Sequence, residues 1–101
     1  MKRFTFKDIK FKDRNEPRGG KQAILNYGKY NISIVRDRYS YGGKDGLYEI
    51  GTFLHDTMVE LPGITEGDTV KGWLSEDDVT GILLKMVTIS GIDVPKQVAS
   101  S

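Results

Sequence analysis

The chain contains no cysteine and a single histidine among its 101 residues. Without cysteine there is neither a disulfide framework nor a thiolate nucleophile, and one histidine cannot complete the usual zinc sites. His55 is followed by Asp56, but adjacent turn residues do not point at one another as a base and its orienting group must. We therefore interpret His55 as an ordinary turn residue and predict a protein without metal or cofactor. The missing thiols fit a reducing compartment.

Long hydrophobic runs are missing as well. No stretch of the sequence approaches the roughly 18 consecutive apolar residues of a membrane-spanning helix. The opening residues, MKRFTFKDIKF, are charged throughout and lack the apolar core of a signal peptide. We therefore expect a soluble protein that works in the cytoplasm and has no membrane partner.

The sequence also lacks the motifs of common enzymes. RGGKQ and YGGKD each contain Gly-Gly-Lys, but a Walker A loop needs a further glycine upstream and Ser or Thr after the lysine. The serines show no nucleophile-elbow context. Glu76, Asp77 and Asp78 would fan around a helix axis, so we interpret them as helix-terminus charge rather than metal ligands. We predict that the protein is not an enzyme, and only a carboxylate pair from different strands is left open.

Short β-prone runs separated by turn residues fill most of the chain. In QAILNYGKYNISIVR, Gly28 opens a two-residue loop that favours a hairpin, because glycine tolerates positive φ. In TVKGWL, Val70 and Leu74 fall on one side of a short strand and Trp73 on the other. Near the N-terminus, FTFKDIKF alternates in two segments that are out of phase, which predicts a bulged strand or two short extended pieces.

The clearest element is a helix that begins after Ser75. Ser75 is a good N-cap with Asp78 at its capping-box position, and Gly91 can close the helix. An apolar stripe with i, i+3, i+4, i+7 spacing consists of Val79, Ile82, Leu83 and Met86. Gly81 inside the helix costs about 1 kcal/mol relative to alanine. We expect it to mark a close approach of the helix to the sheet.

These elements predict an α+β fold in one domain. We expect an antiparallel sheet of about five strands, with the single C-terminal helix packed on one face. The domain would span residues 1–90, and residues 91–101 would form a flexible C-terminal tail.

The net charge of +1 conceals an asymmetry along the chain. Residues 1–46 contain 12 Lys/Arg against 5 Asp/Glu, a net charge of +7, whereas residues 47–101 contain 3 Lys/Arg against 9 Asp/Glu, a net charge of −6. Either the two halves lie side by side and neutralise each other within one sheet, or the molecule has a basic face and an acidic face. The second arrangement would steer a charged partner towards the protein.

The stretch RDRYSYGGKDGLYE mixes cations with aromatic rings in a glycine-rich setting. Tyrosine and arginine are typical of protein interfaces, and the same mixture suits single-stranded nucleic acid, where bases stack on rings and cations meet phosphates. Asp37 and Asp45 count against nucleic acid. Alternatively, the tyrosines pack on the sheet and the stretch is only a connector. The candidate partner-binding residues are Arg36, Arg38, Tyr39, Tyr41 and Lys44.

The order YNISIVR, SYGGKDGLYEI and DTVKGWLSEDDVTGILLKM resembles a family of small accessory proteins encoded by tailed bacteriophages. The shared pattern is a strand ending in Val-Arg, a Tyr-Gly-Gly loop, Gly-Leu-Tyr-Glu, and a helix start with Gly-x-Leu-Ser/Thr before Asp-Val. It covers roughly positions 27–88 here. The resemblance implies a phage protein of early or host-takeover type that binds a host protein in the host cytoplasm.

The leading hypothesis is therefore a non-enzymatic phage accessory protein that binds and modulates a host protein. By analogy it would be an inhibitor of a host defence system, as anti-CRISPR proteins are. The alternative is a small nucleic-acid-binding protein that uses the basic N-terminal half together with the Tyr/Arg loop. A third hypothesis is a structural component of the virion.

Overall fold

An antiparallel sheet and one α-helix make up the structure, a computed structural model that describes residues 3–15 and 19–98. The strands are β1 (Lys12–Asp13), β2 (Lys21–Tyr27), β3 (Tyr30–Arg36), β4 (Tyr48–Leu54), β5 (Thr57–Met58), β6 (Val70–Leu74) and β7 (Lys96–Val98). The helix α1 spans Glu76–Ser90, and two short 3-10 helices span Phe6–Asp8 and Gly43–Asp45. The predicted α+β class and the C-terminal helix are confirmed.

All strand pairs of the sheet are antiparallel. The order is β1-β2-β3-β4-β5, and the sheet has seven strands because β6 also pairs with β4 and β7 with β2. Three strands, β2, β3 and β4, therefore form the long centre, and short strands extend both sides. The β2–β3 hairpin has the predicted two-residue turn, in which Tyr27 pairs with Tyr30 and Gly28 has a φ of 72°.

One face of the sheet forms the core with α1. Burial alternates along the central strands, as expected when one face of a sheet is covered and the other is not. The buried side chains of these strands are Ala23, Leu25, Tyr27, Ile32, Ile34, Tyr48, Ile50 and Thr52. The predicted stripe of α1 packs against this core, because Val79, Ile82, Leu83 and Met86 are all buried. We call the other side of the sheet the open face.

The two ends of α1 follow the predicted capping pattern. The Ser75 hydroxyl accepts a hydrogen bond from the Asp78 N–H at 3.1 Å, and the Asp78 carboxylate accepts one from the Ser75 N–H at 3.0 Å. Gly91 ends the helix in the left-handed conformation, with a φ of 76°. Local sequence thus sets where this helix begins and ends.

Gly81 does not lie where we predicted. It is exposed, and a Cβ added to it would meet no atom within 4 Å, apart from the helix's own backbone. The expected close approach of the helix to the sheet at this residue is therefore wrong. Nothing in the packing of α1 accounts for a glycine here.

The N-terminal segment is also different from the prediction. Phe6–Asp8 form a 3-10 helix rather than an extended strand, and only Lys12–Asp13 pair with β2. The Asp8 carboxylate accepts a hydrogen bond from the Thr5 N–H at 2.9 Å, which supports the helical turn. The phase shift in the apolar pattern therefore reflects this turn.

The predicted C-terminal tail contributes to the sheet. Lys96–Val98 pair with Asn26, Leu25 and Ile24 of β2, and the side chain of Gln97 bonds to the backbone of Lys10. Ile92 packs against the core and Pro95 is buried. The domain therefore extends to residue 98, and residues 99–101 of the predicted tail lie outside the described residues.

The sheet order places the oppositely charged halves of the sequence side by side. Strands β1, β2 and β3 belong to the basic residues 1–46, whereas β4, β5 and β6 belong to the acidic residues 47–101. The halves meet between β3 and β4 and again at the other edge, because β7 also belongs to residues 47–101 and pairs with β2. No helix in the described part of the chain has the length and apolar character needed to cross a membrane.

Candidate functional site

The candidate site is built on the loop between β3 and β4, residues 37–47, which begins at a buried aspartate. The Asp37 side chain is fully buried, and its carboxylate pairs with the Arg14 guanidinium at 3.0 Å. It also accepts hydrogen bonds from the N–H groups of Tyr39 and Ser40, each at 2.8 Å. Three donors satisfy this buried charge, which fixes the start of the loop. The negative charge of Asp37 therefore lies beneath the loop and is paired.

The middle of the loop rests directly on β6. The Trp73 N–H donates to the Tyr41 carbonyl at 3.1 Å, and the Tyr41 N–H donates to the Glu49 carboxylate at 2.7 Å. Two glycines permit this approach: a Cβ on Gly72 would lie 2.2 Å from the Cβ of Tyr41, and one on Gly42 would lie 2.9 Å from the Cα of Trp73. The backbone of Tyr41 is thus held from both sides.

Two exposed aromatic rings stack where the loop meets β6. The rings of Tyr41 and Trp73 are 5.3 Å apart between centroids with an interplanar angle of 24°. Their exposed fractions are 57% and 59%, respectively. Large aromatic side chains normally bury most of their surface, so a rigid exposed pair is unusual for a side chain that serves only the fold.

The backbone of Trp73 is strained. Its φ is 55°, a conformation that is rare for bulky residues and costs roughly 1–2 kcal/mol. Gly72 and Trp73 form a bulge in β6, because the pairing with β4 shifts between Tyr48 and Ile50. Bulges turn a side chain away from its regular direction. The bulge and the strain together present the Trp73 ring to solvent beside Tyr41.

The five predicted binding residues are not equivalent in the structure. Arg38, Tyr39, Tyr41 and Lys44 are exposed on the loop, and Tyr39 has an exposed fraction of 61%. Arg36 is half-buried, and its guanidinium carbon lies 5.8 Å from the centroid of the buried Tyr48 ring. Arg36 therefore packs on the edge of the core. We define the loop surface as Arg38, Tyr39, Tyr41, Lys44 and Trp73.

Sequence reasoning missed Trp73. The pattern of TVKGWL predicted Val70 and Leu74 on one side of the strand and Trp73 on the other. This is wrong for Val70, because the bulge leaves Leu74 in the core and pairs Val70 with Gly51 on the open face. The stack with Tyr41 depends on the bulge and on the docking of the loop, which join residues 32 positions apart in the chain. One feature of the sequence could have pointed to Trp73 as a site residue: it is the lone tryptophan, and it follows a glycine in a short predicted strand.

A shallow cleft of about 390 Å³ lies beside Trp73, between β6 and α1. The Lys85 ammonium donates to the Gly63 carbonyl at 2.8 Å across it. The pKa of the Asp78 carboxyl is below its ordinary value because it accepts hydrogen bonds from Ser75, and Lys71 adds a smaller effect in the same direction. The charges that line the cleft balance, because two are positive, Lys71 and Lys85, and two are negative, Asp77 and Asp78.

No metal centre is formed by the residues in 3–15 and 19–98, since these contain no group of three His, Cys, Asp or Glu side chains placed to hold an ion. His55 lies in the turn between β4 and β5 with a φ of 55°. The chemistry that the loop surface offers is therefore aromatic stacking, hydrogen bonding and positive charge.

No protein-family model, curated protein or solved structure matches the chain.

Proposed function

We propose that this protein is a non-enzymatic binding protein that contacts a partner protein through the loop surface. The observation that carries the proposal is the stacked pair of exposed rings, Tyr41 and Trp73, held in place by a strained backbone. Strain of this kind persists where the surrounding structure enforces it, and it concentrates at sites of function.

The composition of the loop surface supports a protein partner. Tyrosine, tryptophan and arginine are the residues that most often dominate the free energy of protein interfaces. The loop is also organised before binding, because Asp37 fixes its start and β6 supports Tyr41. A preorganised loop loses little conformational entropy when the partner binds.

The identity of the partner rests on the resemblance to phage accessory proteins. We propose that the partner is a host protein in the cytoplasm of a bacterium and that binding modulates it. Inhibition of a host defence protein is the most specific form of this proposal. A small domain with an aromatic surface can act in this way by blocking a surface that its target needs.

Single-stranded nucleic acid is the second candidate ligand, and one observation favours it. The exposed aromatic platform of Tyr41 and Trp73 lies on the same loop as the cations Arg38 and Lys44. Bases stack on such rings, and cations neutralise phosphates. This ligand predicts measurable anisotropy changes with labelled DNA or RNA that weaken sharply between about 50 and 200 mM salt. No binding at the lower salt concentration would exclude it.

The test of the protein-binding proposal is affinity capture from host lysate with the double variant Arg38→Ala/Tyr41→Ala. We expect wild-type protein to retain a host protein and the double variant to lose it. The control is Leu84→Ala, an exposed position on α1 away from the loop. Circular dichroism and thermal unfolding of each variant would show that the fold is kept. Equal capture by the wild type and the double variant would overturn the proposal.

A further inference from the structure

We propose that the protein forms a symmetric homodimer through the open face of its sheet. This face is separate from the loop surface, so the dimer goes beyond the binding function proposed above. Its apolar side chains are Ile24, Val35, Phe53, Met58, Val70 and Val98. In the described part of the chain, Met58 and Val98 are still 44% and 41% exposed.

The centre of the open face carries no charge and its polar groups pair with one another. The Gln22 amide donates to the Ser33 hydroxyl at 2.9 Å, and the Asn26 amide donates to the Asn31 carbonyl oxygen at 2.9 Å. A polar group that already has a hydrogen-bond partner pays a smaller free-energy cost when water is removed from it. A cleft of about 470 Å³ over these residues has Asp56 and Val98 among its lining residues.

The charge pattern selects a second copy of the chain as the occupant. On the open face, Lys12 and Lys96 lie along the outer edge of β2, where they pair with Gln22 and Asn26. Glu49 of β4 and Asp56 lie on the other side of β3. We call these two edges the basic side and the acidic side. A two-fold axis parallel to the strands and along β3 brings the basic side of one copy over the acidic side of the other. Opposite charges then meet at both edges of the contact, as complementary interfaces require.

One specific pair of charges follows from this axis. Asn26, Asn31 and Phe53 lie opposite one another on neighbouring strands and form one row across the sheet. Lys96 lies opposite Asn26 and so stands at the end of this row. The turn after Leu54 places Asp56 at the same end of the sheet but on the opposite edge. The axis therefore puts Lys96 of one copy beside Asp56 of the other.

Gly51 provides an independent observation. It lies inside β4 on the open face, and its φ is not positive. A Cβ there would make only ordinary contacts, 3.7 Å from both Met58 and Phe53, so the fold itself does not require glycine. Glycine weakens a strand and often marks a bulge or the close approach of a ligand or another backbone. The bulge of β6 faces Glu49 rather than Gly51, so it does not account for this glycine. The axis places Ile24 of the second copy over Gly51, because both residues are paired with Ser33.

The size of the face indicates a weak, reversible dimer. Three strands about 23 Å long, spaced about 4.8 Å apart, and the shorter strands along both edges cover roughly 500 Å² per copy, or roughly 1,000 Å² in total. That area lies at the lower end for specific interfaces. We therefore expect dissociation in the micromolar range.

Sedimentation equilibrium of the purified chain, from low micromolar to several hundred micromolar, tests the dimer without any partner protein. We expect the mass to rise from that of one chain to that of two. A mass of one chain throughout would overturn the proposal, and capture of a host protein by the loop surface would be unaffected by that result.

Matched variants test which face is used. Ile24→Lys adds a charge at the centre of the face, and Leu84→Lys adds the same charge on α1. Gly51→Val adds a β-branched side chain of the kind that strands favour, and it blocks the approach of Ile24. Circular dichroism of each variant checks that the monomer is folded. We expect Ile24→Lys and Gly51→Val to weaken association at least tenfold and Leu84→Lys to leave it unchanged. Association that survives both open-face changes would overturn the proposal.

A charge exchange tests the axis itself. Lys96→Asp and Asp56→Lys should each weaken the dimer, because each places like charges together. The double variant restores opposite charges and should recover most of the wild-type affinity. Failure of the double variant to recover it would overturn the assigned two-fold axis.

Discussion

Trp73 combines a strained backbone with an exposed side chain, and neither property stabilises the fold. The left-handed φ costs free energy, and 59% exposure means that burial of the ring offsets little of this cost. The stack with Tyr41 contributes only about 0.5–1.5 kcal/mol. Stability therefore does not explain why tryptophan occupies this position, and we propose that contact with a partner does.

The variant Trp73→Asn separates stability from binding. Asparagine tolerates the left-handed conformation, so relief of strain should offset loss of the stack. We expect the free energy of unfolding to change by less than about 1 kcal/mol, against the roughly 3–5 kcal/mol that truncation of a buried tryptophan costs. Urea unfolding measures this change. Trp73→Phe retains a ring and is the control for partner capture.

Tyr27 presents the opposite case, a buried side chain with an unsatisfied group. Its ring is almost completely buried, its hydroxyl has no hydrogen-bond partner among the described residues, and burial raises the pKa of the phenol. Removing the hydroxyl in Tyr27→Phe should therefore increase the free energy of unfolding by about 1 kcal/mol. A decrease in thermal stability would instead reveal a water molecule bonded to the hydroxyl inside the protein.

At the scale of elements, α1 illustrates how far the sequence alone could predict the structure. Its capping box, its apolar stripe and its terminal glycine are all local signals, and all were confirmed. The sheet was predictable in class, because alternation marks one buried face. The joining of Lys96–Val98 to β2 was not, because pairing across some 70 residues leaves no local pattern. The Trp73 bulge escaped prediction for the same reason.

Gly81 gives a test of helix propensity in α1. With no atom within 4 Å of an added Cβ, alanine should fit without strain. Gly81→Ala should raise the free energy of unfolding by about 0.5–1 kcal/mol, because glycine loses more backbone entropy on folding. Thermal unfolding would detect the increase. A lower stability would contradict the open environment of this position.

The capping box of α1 should make stability depend on pH. Hydrogen bonds from Ser75 lower the pKa of Asp78 from its unfolded value, so the folded chain favours the ionised carboxylate. The resulting stabilisation is present above the unfolded pKa and is lost as pH falls through the folded pKa. Asp78→Asn should therefore lower the melting temperature near neutral pH and make little difference in strong acid.

The control for that measurement is Asp77→Asn, a neighbouring acid in the first turn that lies outside the capping box. Both variants lose one negative charge near the helix N-terminus, but only at Asp78 did that charge strengthen a capping hydrogen bond. An equal effect of the two variants at neutral pH would attribute the stabilisation to the helix dipole rather than to the capping box.

At the scale of the whole molecule, three surfaces differ in character. One face of the sheet is covered by α1 and holds the core, the open face is uncharged at its centre, and the loop surface presents the stacked rings at one end of β6. The sequence indicated the loop and four of the five members of this surface. It could not indicate which ring would join them, since that depends on how the loop docks.

The most direct test of the loop surface is site-specific photo-crosslinking in host lysate. A benzophenone side chain replaces Tyr39, which is 61% exposed and leaves the stack of Tyr41 and Trp73 intact. The control carries the same group at Leu84 on α1. We predict that the Tyr39 probe attaches to a host protein, resistant to nuclease, and that the Leu84 probe does not. Attachment to nucleic acid instead, or equal attachment from both positions, would contradict the account.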